Sequence, residues 1–250
     1  MVALITGASS GIGFDMALYL SELGYDIIAV GRNKKKLNLL QKKCRTKVIA
    51  FDLDLSLESN IYKLHDCIEM YNIDILINAA GFGVFGAFGE NHLDKELEMI
   101  DVNIKALHIL TKLILKDMII KDKGYILNVS SLASFMPGPL MSSYYASKAY
   151  VTRLTEAINY ELKKNKSNVH ISILCPGPVD TNFNETAGVN FSIKPMTSSD
   201  VAIYGIDKMF KEKLIIVPGF INKITRIISK IIPNNILMIF SYKIQSKKAK

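Results

Sequence analysis

The stretch Val2-Ala3-Leu4-Ile5-Thr6-Gly7-Ala8-Ser9-Ser10-Gly11-Ile12-Gly13 decides the fold. Four apolar residues in succession, Val2 to Ile5, have the pattern of a strand buried on both faces. The turn that follows carries three glycines. Gly7 can adopt turn geometry closed to residues with a Cβ. Gly11 lets backbone approach a pyrophosphate, and Gly13 lets the next helix pack close to the strand. The helix predicted from about Gly13 to Leu23 then offers free N–H groups and a positive dipole end to an anion. With Ser9, Ser10 and Ile12 between the glycines, this strand-to-helix junction reads as a dinucleotide phosphate cradle.

The same alternation continues outward from that junction. Apolar runs predict further strands at 27–30, 48–51, 73–78, 125–129 and 169–174. Amphipathic stretches predict helices at 34–43, 59–70, a long one from 92 to about 118, and 145–164. Such alternation implies parallel strands joined by right-handed crossovers, hence an α/β, Rossmann-type doubly wound parallel sheet. A length of 250 residues suits one large domain. The expected division is a dinucleotide-binding domain at 1–220 and a basic amphipathic C-terminal extension at 221–250. The polar stretch from Asn182 to Ser199 reads as a lid, ending in a helix-start signal at Thr197-Ser198-Ser199-Asp200.

Composition narrows the class. Hydrophobic residues make up 49% and charged residues 22%, as in a folded globular protein. Cys44, Cys67 and Cys175 are far apart and fit neither a disulfide framework nor a metal site, which points to a reducing, cytoplasmic setting. No signal peptide is visible at Met1, and the uncharged run Ile231 to Tyr242 is too short to span a bilayer. The net charge of +8 is nearly all carried by Lys223, Arg226, Lys230, Lys243, Lys247, Lys248 and Lys250, with no acidic residue after Phe220.

The end of the second predicted strand bears on which nucleotide is bound. A carboxylate there would hold the adenosine ribose hydroxyls and repel a 2′-phosphate. The chain instead reads Ala29-Val30-Gly31-Arg32-Asn33, and Arg32 can pair with a 2′-phosphate and stack on adenine. NADP(H) is therefore the expected cofactor, in preference to NAD(H). Asp52, next to Leu53, is placed to accept from the adenine amino group, with Asp54 the alternative.

A second constellation carries the chemistry. Tyr144 and Lys148 are four residues apart at the start of a predicted helix, hence on one face. A phenol with a pKa near 10 exchanges protons poorly at neutral pH, and a neighbouring ammonium stabilises its anion. Lys148 can also bind the nicotinamide ribose. Ser131, at the carboxyl edge of the strand ending Asn128-Val129, can donate to a carbonyl oxygen. Tyr145 breaks the four-residue spacing to Lys148 and reads as structural. His65, His92, His108 and His170 fit no triad, and there is no GxSxG elbow, which argues against a hydrolase.

Taken in order, these motifs resemble the short-chain dehydrogenase/reductase family, in its short single-domain branch, over roughly residues 2–181. Thr6 to Gly13 corresponds to the TGxxxGxG turn. Asn78-Ala79-Ala80-Gly81 corresponds to NNAG, with alanine replacing the second asparagine. Asn103, Ser131, the YxxxK pair Tyr144 and Lys148, and Pro176-Gly177 followed by Thr181 complete the set. The resemblance implies a tetrad in which Tyr144 exchanges the proton, Ser131 orients the carbonyl, Lys148 tunes the tyrosine, and Asn103 holds a relay water. It also implies nicotinamide contacts from Pro176, Gly177, Val179 and Thr181, cofactor contacts from Asn78, Ala79 and Gly81, and a homo-oligomer. Ser10 departs from the Lys or Arg that many members carry there as a second NADP anchor.

Leu214-Ile215-Ile216-Val217 looks like the last strand of such a chain, and after Pro218-Gly219 the isoleucines at 221, 224, 227, 228, 231 and 232 recur at helical spacing, with Lys223, Arg226, Ser229 and Lys230 on the other face. Two expectations compete for this segment: a packed cover on the substrate pocket or an oligomer surface, and a peripheral membrane contact. Nucleic acid is not expected, since no aromatic residues interleave with the lysines. The overall expectation is an oxidoreductase interconverting a carbonyl and a secondary alcohol on a small lipophilic substrate. A non-catalytic NADP(H)-binding sensor or membrane adaptor, and an NAD-dependent alcohol dehydrogenase of the same family, are the alternatives.

Overall fold

The computed structural model describes residues 1–181 and 195–246. Strands β1 (Val2–Thr6), β2 (Asp26–Gly31), β3 (Val48–Asp52), β4 (Ile73–Asn78), β5 (Gly124–Val129), β6 (Val169–Leu174) and β9 (Ile215–Ile216) form one parallel sheet in the order β3-β2-β1-β4-β5-β6-β9. The order reverses at β1, where Ile5 pairs with Ala29 of β2 on one side and Ile77 of β4 on the other. The short strands β7 (Val179–Asp180) and β8 (Met196–Thr197) pair in parallel beside it.

Alternate side chains along each strand feed the two faces. Ala3 and Ile5 pack with Met16, Ala17 and Leu20 of α1 (Gly11–Glu22), with Leu37 and Leu40 of α2 (Lys34–Lys43), and with Ile206 and Met209 of α7 (Ser198–Phe210). Leu4 points the other way, into a layer with Ile61 and Leu64 of α3 (Glu58–Ile68), Leu110 and Ile114 of α5 (Leu107–Lys121), and Leu162 of α6 (Ser142–Lys164). Each such fully buried Leu or Ile contributes roughly 1.5–3 kcal/mol of transfer free energy. The α7 start forms at the expected signal, where the Thr197 hydroxyl accepts from the Asp200 N–H at 3.1 Å. Most of the stretch read as a lid lies outside the described residues.

The long helix expected from residue 92 is interrupted. α4 (Leu93–Ile100) runs into a π-helical turn at Asp101–Ala106 before α5. A π turn inserts an extra residue and reorients what it carries. Here it carries Asn103, fully buried. Two further helices, α8 (Phe220–Ile231) and α9 (Asn234–Ser246), follow β9, broken at Pro233 as the sequence suggests.

Candidate active site

A cleft of about 1280 Å³ runs along the carboxyl ends of the sheet strands. In an open α/β sheet this edge, at the reversal of strand order, is where a ligand can lie. The turn after β1 forms one wall. Gly7 has φ +70°, and a Cβ there would sit 2.7 Å from the Ala80 nitrogen. A Cβ on Gly13 would lie 2.6 Å from the Gly7 carbonyl oxygen. Only glycine permits these approaches. The first turn of α1 has no acidic side chain and no side-chain cap, so the positive end of its dipole is unopposed. Thr6 locks this turn to the next strand: its hydroxyl accepts from the Ala79 N–H at 3.1 Å and the Ala80 N–H at 3.2 Å.

Buried polar contacts hold the other wall. Asn78 donates to Asn128 at 2.9 Å and to Thr111 at 3.0 Å, and Asn128 donates to Thr155 at 2.9 Å. Ser130 donates to the Lys148 carbonyl at 2.9 Å, pinning α6 to the end of β5. Lys148 Nζ donates to the Val129 carbonyl at 3.0 Å and stands 5.9 Å over the Tyr144 ring. Ser131 accepts from the Ala133 N–H at 3.1 Å and is hydrogen-bonded to the Tyr144 phenol. Asn103 donates to the Phe82 carbonyl at 2.9 Å and to Ser147 at 3.1 Å, and accepts from the Phe82 N–H. A Cβ on Gly81 would meet Asn103 at 2.8 Å and Lys148 Nζ at 3.3 Å, so a glycine is what lets the three come together.

Burial governs the electrostatics here. It raises the Tyr144 phenol above its ordinary pKa, with the Ser131 hydrogen bond opposing it. The same burial lowers the Lys148 ammonium from 10.5 to about 8. Behind them Cys175, fully buried, is pushed up to about 12.

At the far end of the cleft Arg32 donates to Glu98 at 2.8 Å and lies 3.6 Å from Asp54. Partial burial works against its charge, and the two carboxylates outweigh that effect. Glu98 is held below the usual carboxylate range by Lys95 first and by Arg32 next.

The cleft wall includes Gly7, Ser9, Ser10, Gly11, Ile12, Gly13, Arg32, Leu53, Ala79, Gly81, Ser131, Tyr144, Lys148, Pro176, Gly177, Val179 and Thr181. Three residues singled out from the sequence are not part of it. Asp52 ends β3 exposed, and Asp54 takes a place on the wall instead. Asn78 and Asn103 are buried behind it. Residues not singled out also line it. Lys36 stands near Arg32, one helical turn beyond the Asn33 cap of α2, where only the helical spacing could have shown it. Tyr145, read as structural, lines the cleft and its hydroxyl accepts from Gln245 of α9 at 2.7 Å. Phe220, Ile228, Leu237 and Phe240 of the two C-terminal helices close the open end.

A wall of glycines beside a free helix N-terminus, continuing to a Ser–Tyr–Lys cluster, fits an extended dinucleotide. The comparisons agree. The short chain dehydrogenase family model matches residues 1–190. An uncharacterized oxidoreductase of Staphylococcus epidermidis is 31% identical over 210 residues, covering 82% of this chain and 90% of that protein. A very-long-chain 3-oxoacyl-CoA reductase of Phaeosphaeria nodorum is 33% identical over 179 residues, covering 68% of this chain and 52% of the relative. The solved structure of a short-chain dehydrogenase from Sphingobium yanoikuyae in complex with NADPH superposes with a TM-score of 0.82 at 27% identity, covering 88% of each chain. The cleft, its glycine turn and these likenesses lead to one conclusion: the chain belongs to the short-chain dehydrogenase/reductase family and is an NAD(P)-dependent dehydrogenase.

Proposed function

We propose that this protein interconverts a ketone and a secondary alcohol on a lipophilic substrate, using NADP(H). The observation that carries the reading is the buried cluster in which the Tyr144 phenol meets Ser131 with Lys148 beside its ring. The nicotinamide supplies the chemistry the chain lacks, a hydride given to or taken from the carbon. In reduction Tyr144 donates its proton to the carbonyl oxygen as that carbon gains the hydride. Burial keeps Tyr144 in the protonated form that this direction needs. Ser131 donates a hydrogen bond to the same oxygen and stabilises its developing charge. Lys148 replaces the proton lost from Tyr144, for which a pKa of about 8 suits it at neutral pH. Asn103 acts as a positioning residue, fixing the Phe82 backbone and Ser147 around that lysine.

Arg32 and Lys36 at the adenosine end supply two cations for a 2′-phosphate, and the NADPH-bound relative supports the same choice. Asp54 on that wall favours a second reading, NAD(H), in which its carboxylate takes the ribose hydroxyls. The lipophilic substrate class rests on the apolar residues that close the open end and on the acyl-chain reductase among the relatives.

The test is turnover of a panel of lipophilic ketones with NADPH, by the natural chain and by Tyr144→Phe. The substitution should lower kcat by about 10²–10⁴-fold with NADPH binding retained. Equal turnover by the variant would remove Tyr144 from the reaction.

A further inference from the structure

The C-terminal helix α8 is laid on the protein inside out. Its buried side is polar. Ser229 is 7% exposed, Asn222 packs against Gly177 and donates to the Pro218 carbonyl at 2.7 Å, and Arg226 stacks over the Phe135 ring at 5.4 Å. Its apolar side faces outward. Ile221, Ile227 and Ile231 are 73%, 58% and 76% exposed, and Phe220, Ile224 and Ile228 share their face. At 100° per residue these six fall within an arc of about 120°, opposite the buried polar side. α9 continues the surface. Its buried positions are Leu237, Ser241 and Gln245, one turn apart, leaving Ile236, Ile239, Phe240 and Tyr242 exposed.

An apolar surface of this extent on a water-facing helix pair calls for an occupant. The charges say which. Lys223 and Lys230 are exposed and lie together along one border of the α8 apolar arc. Lys243 follows on α9, and no acidic residue occurs after Phe220. Among the described residues, no ion pair involves a residue beyond Phe220. A second copy seated on this face by a two-fold axis would set these lysines near one another with nothing to answer them. An anionic lipid surface answers both features: isoleucines enter the acyl boundary while lysines meet the headgroups. No described helix is long and apolar enough to cross a membrane, so the arrangement is one that lies on the surface.

We infer that the outward face of α8 and α9 docks the protein on an anionic lipid bilayer. Phe220, Ile228 and Phe240 belong both to this face and to the cleft wall, so docking would turn the open end of the cleft toward the lipid. Delivery of substrate from the bilayer rests on the lipophilic-substrate reading above. The docking itself does not.

The experiment is flotation of the full chain with vesicles of phosphatidylcholine plus phosphatidylglycerol, against phosphatidylcholine alone, with no substrate present. The chain should float with the anionic vesicles, at least about tenfold more strongly than with the neutral ones. The double substitution Ile227→Asp and Ile231→Asp, on outward positions away from the cleft wall, should weaken this at least about tenfold while leaving NADPH binding unchanged. If that variant does not fold, Lys223→Glu with Lys230→Glu decides, with a loss of roughly tenfold or more expected. No flotation with anionic vesicles overturns the inference, as does equal flotation by the variants. So does a dimer that the same substitutions dissolve in a protein that does not bind vesicles.

Discussion

Helices α7 and α8 carry similar periodic apolar patterns and use them in opposite ways. In α7 the apolar residues Val201, Ala202, Ile206 and Met209 turn inward onto the sheet and α1. In α8 the isoleucines turn outward, and Asn222, Arg226 and Ser229 turn inward. The difference lies in what each helix is laid on. α7 meets Leu127 and Val129 of β5 and Leu174 of β6, which are apolar, whereas α8 meets the Pro176–Gly177 turn and the 3₁₀ turn carrying Phe135. Backbone carbonyls and ring faces reward donors and cations, so the polar side of α8 is the one that fits. Period identifies a helix, and the surface beneath it chooses which face is buried.

That contrast can be broken directly. Ile206→Ala should cost about 2–5 kcal/mol of unfolding free energy, measured by chemical denaturation, because it empties a site with no exposure. Lys148 gives the next effect. Its folded pKa of about 8 lies below its ordinary 10.5, so between those values the unfolded chain binds more protons than the folded one. Relative to Lys148→Met, the natural chain should therefore gain stability as the pH rises across that window; the variant keeps only the opposing slopes of Tyr144 and Cys175, whose raised folded pKa values make stability fall as pH rises. Parallel melting curves from pH 7 to 10.5 check this, and identical slopes would contradict the burial argument. The smallest effect falls on α8. Ile227→Ala should change stability by no more than about 0.5 kcal/mol, since that side chain is 58% exposed. A loss matching that at Ile206 would mean that the isoleucine face is packed.

Much of this molecule could be read from the sequence. Every strand of the main sheet, β9 included, is marked by an apolar run, and the glycine turn shows where the cleft begins. Residue type and spacing single out Ser131, Tyr144 and Lys148, because a phenol that exchanges protons needs a cation near it, and the three stand on one cleft wall. What escaped was the work of distant contacts. Glu98 reaches Arg32 across 66 positions in sequence, and no local pattern announces it. The π turn that buries Asn103 lies inside what reads from the sequence as one long helix, and no glycine or proline at 101–106 marks it. Tyr145 reads as structural because it breaks the spacing to Lys148, and its contact with Gln245, a hundred residues later, has no local signal. For α8 the sequence left two expectations open, a packed cover and a membrane-facing side, for the reason already given: a periodic pattern has no sign.

The measurement that tests the central claim most directly is a titration with NADPH and with NADH, following nicotinamide fluorescence in a chain that has no tryptophan. The account predicts much tighter binding of NADPH, weakened by about tenfold or more in Arg32→Ala, since the guanidinium that now pairs with Glu98 and Asp54 would pair with the 2′-phosphate. Preference for NADH with Arg32→Ala unchanged would contradict the NADP(H) assignment and favour Asp54 as the ribose ligand. Binding of neither nucleotide would contradict the dinucleotide site itself.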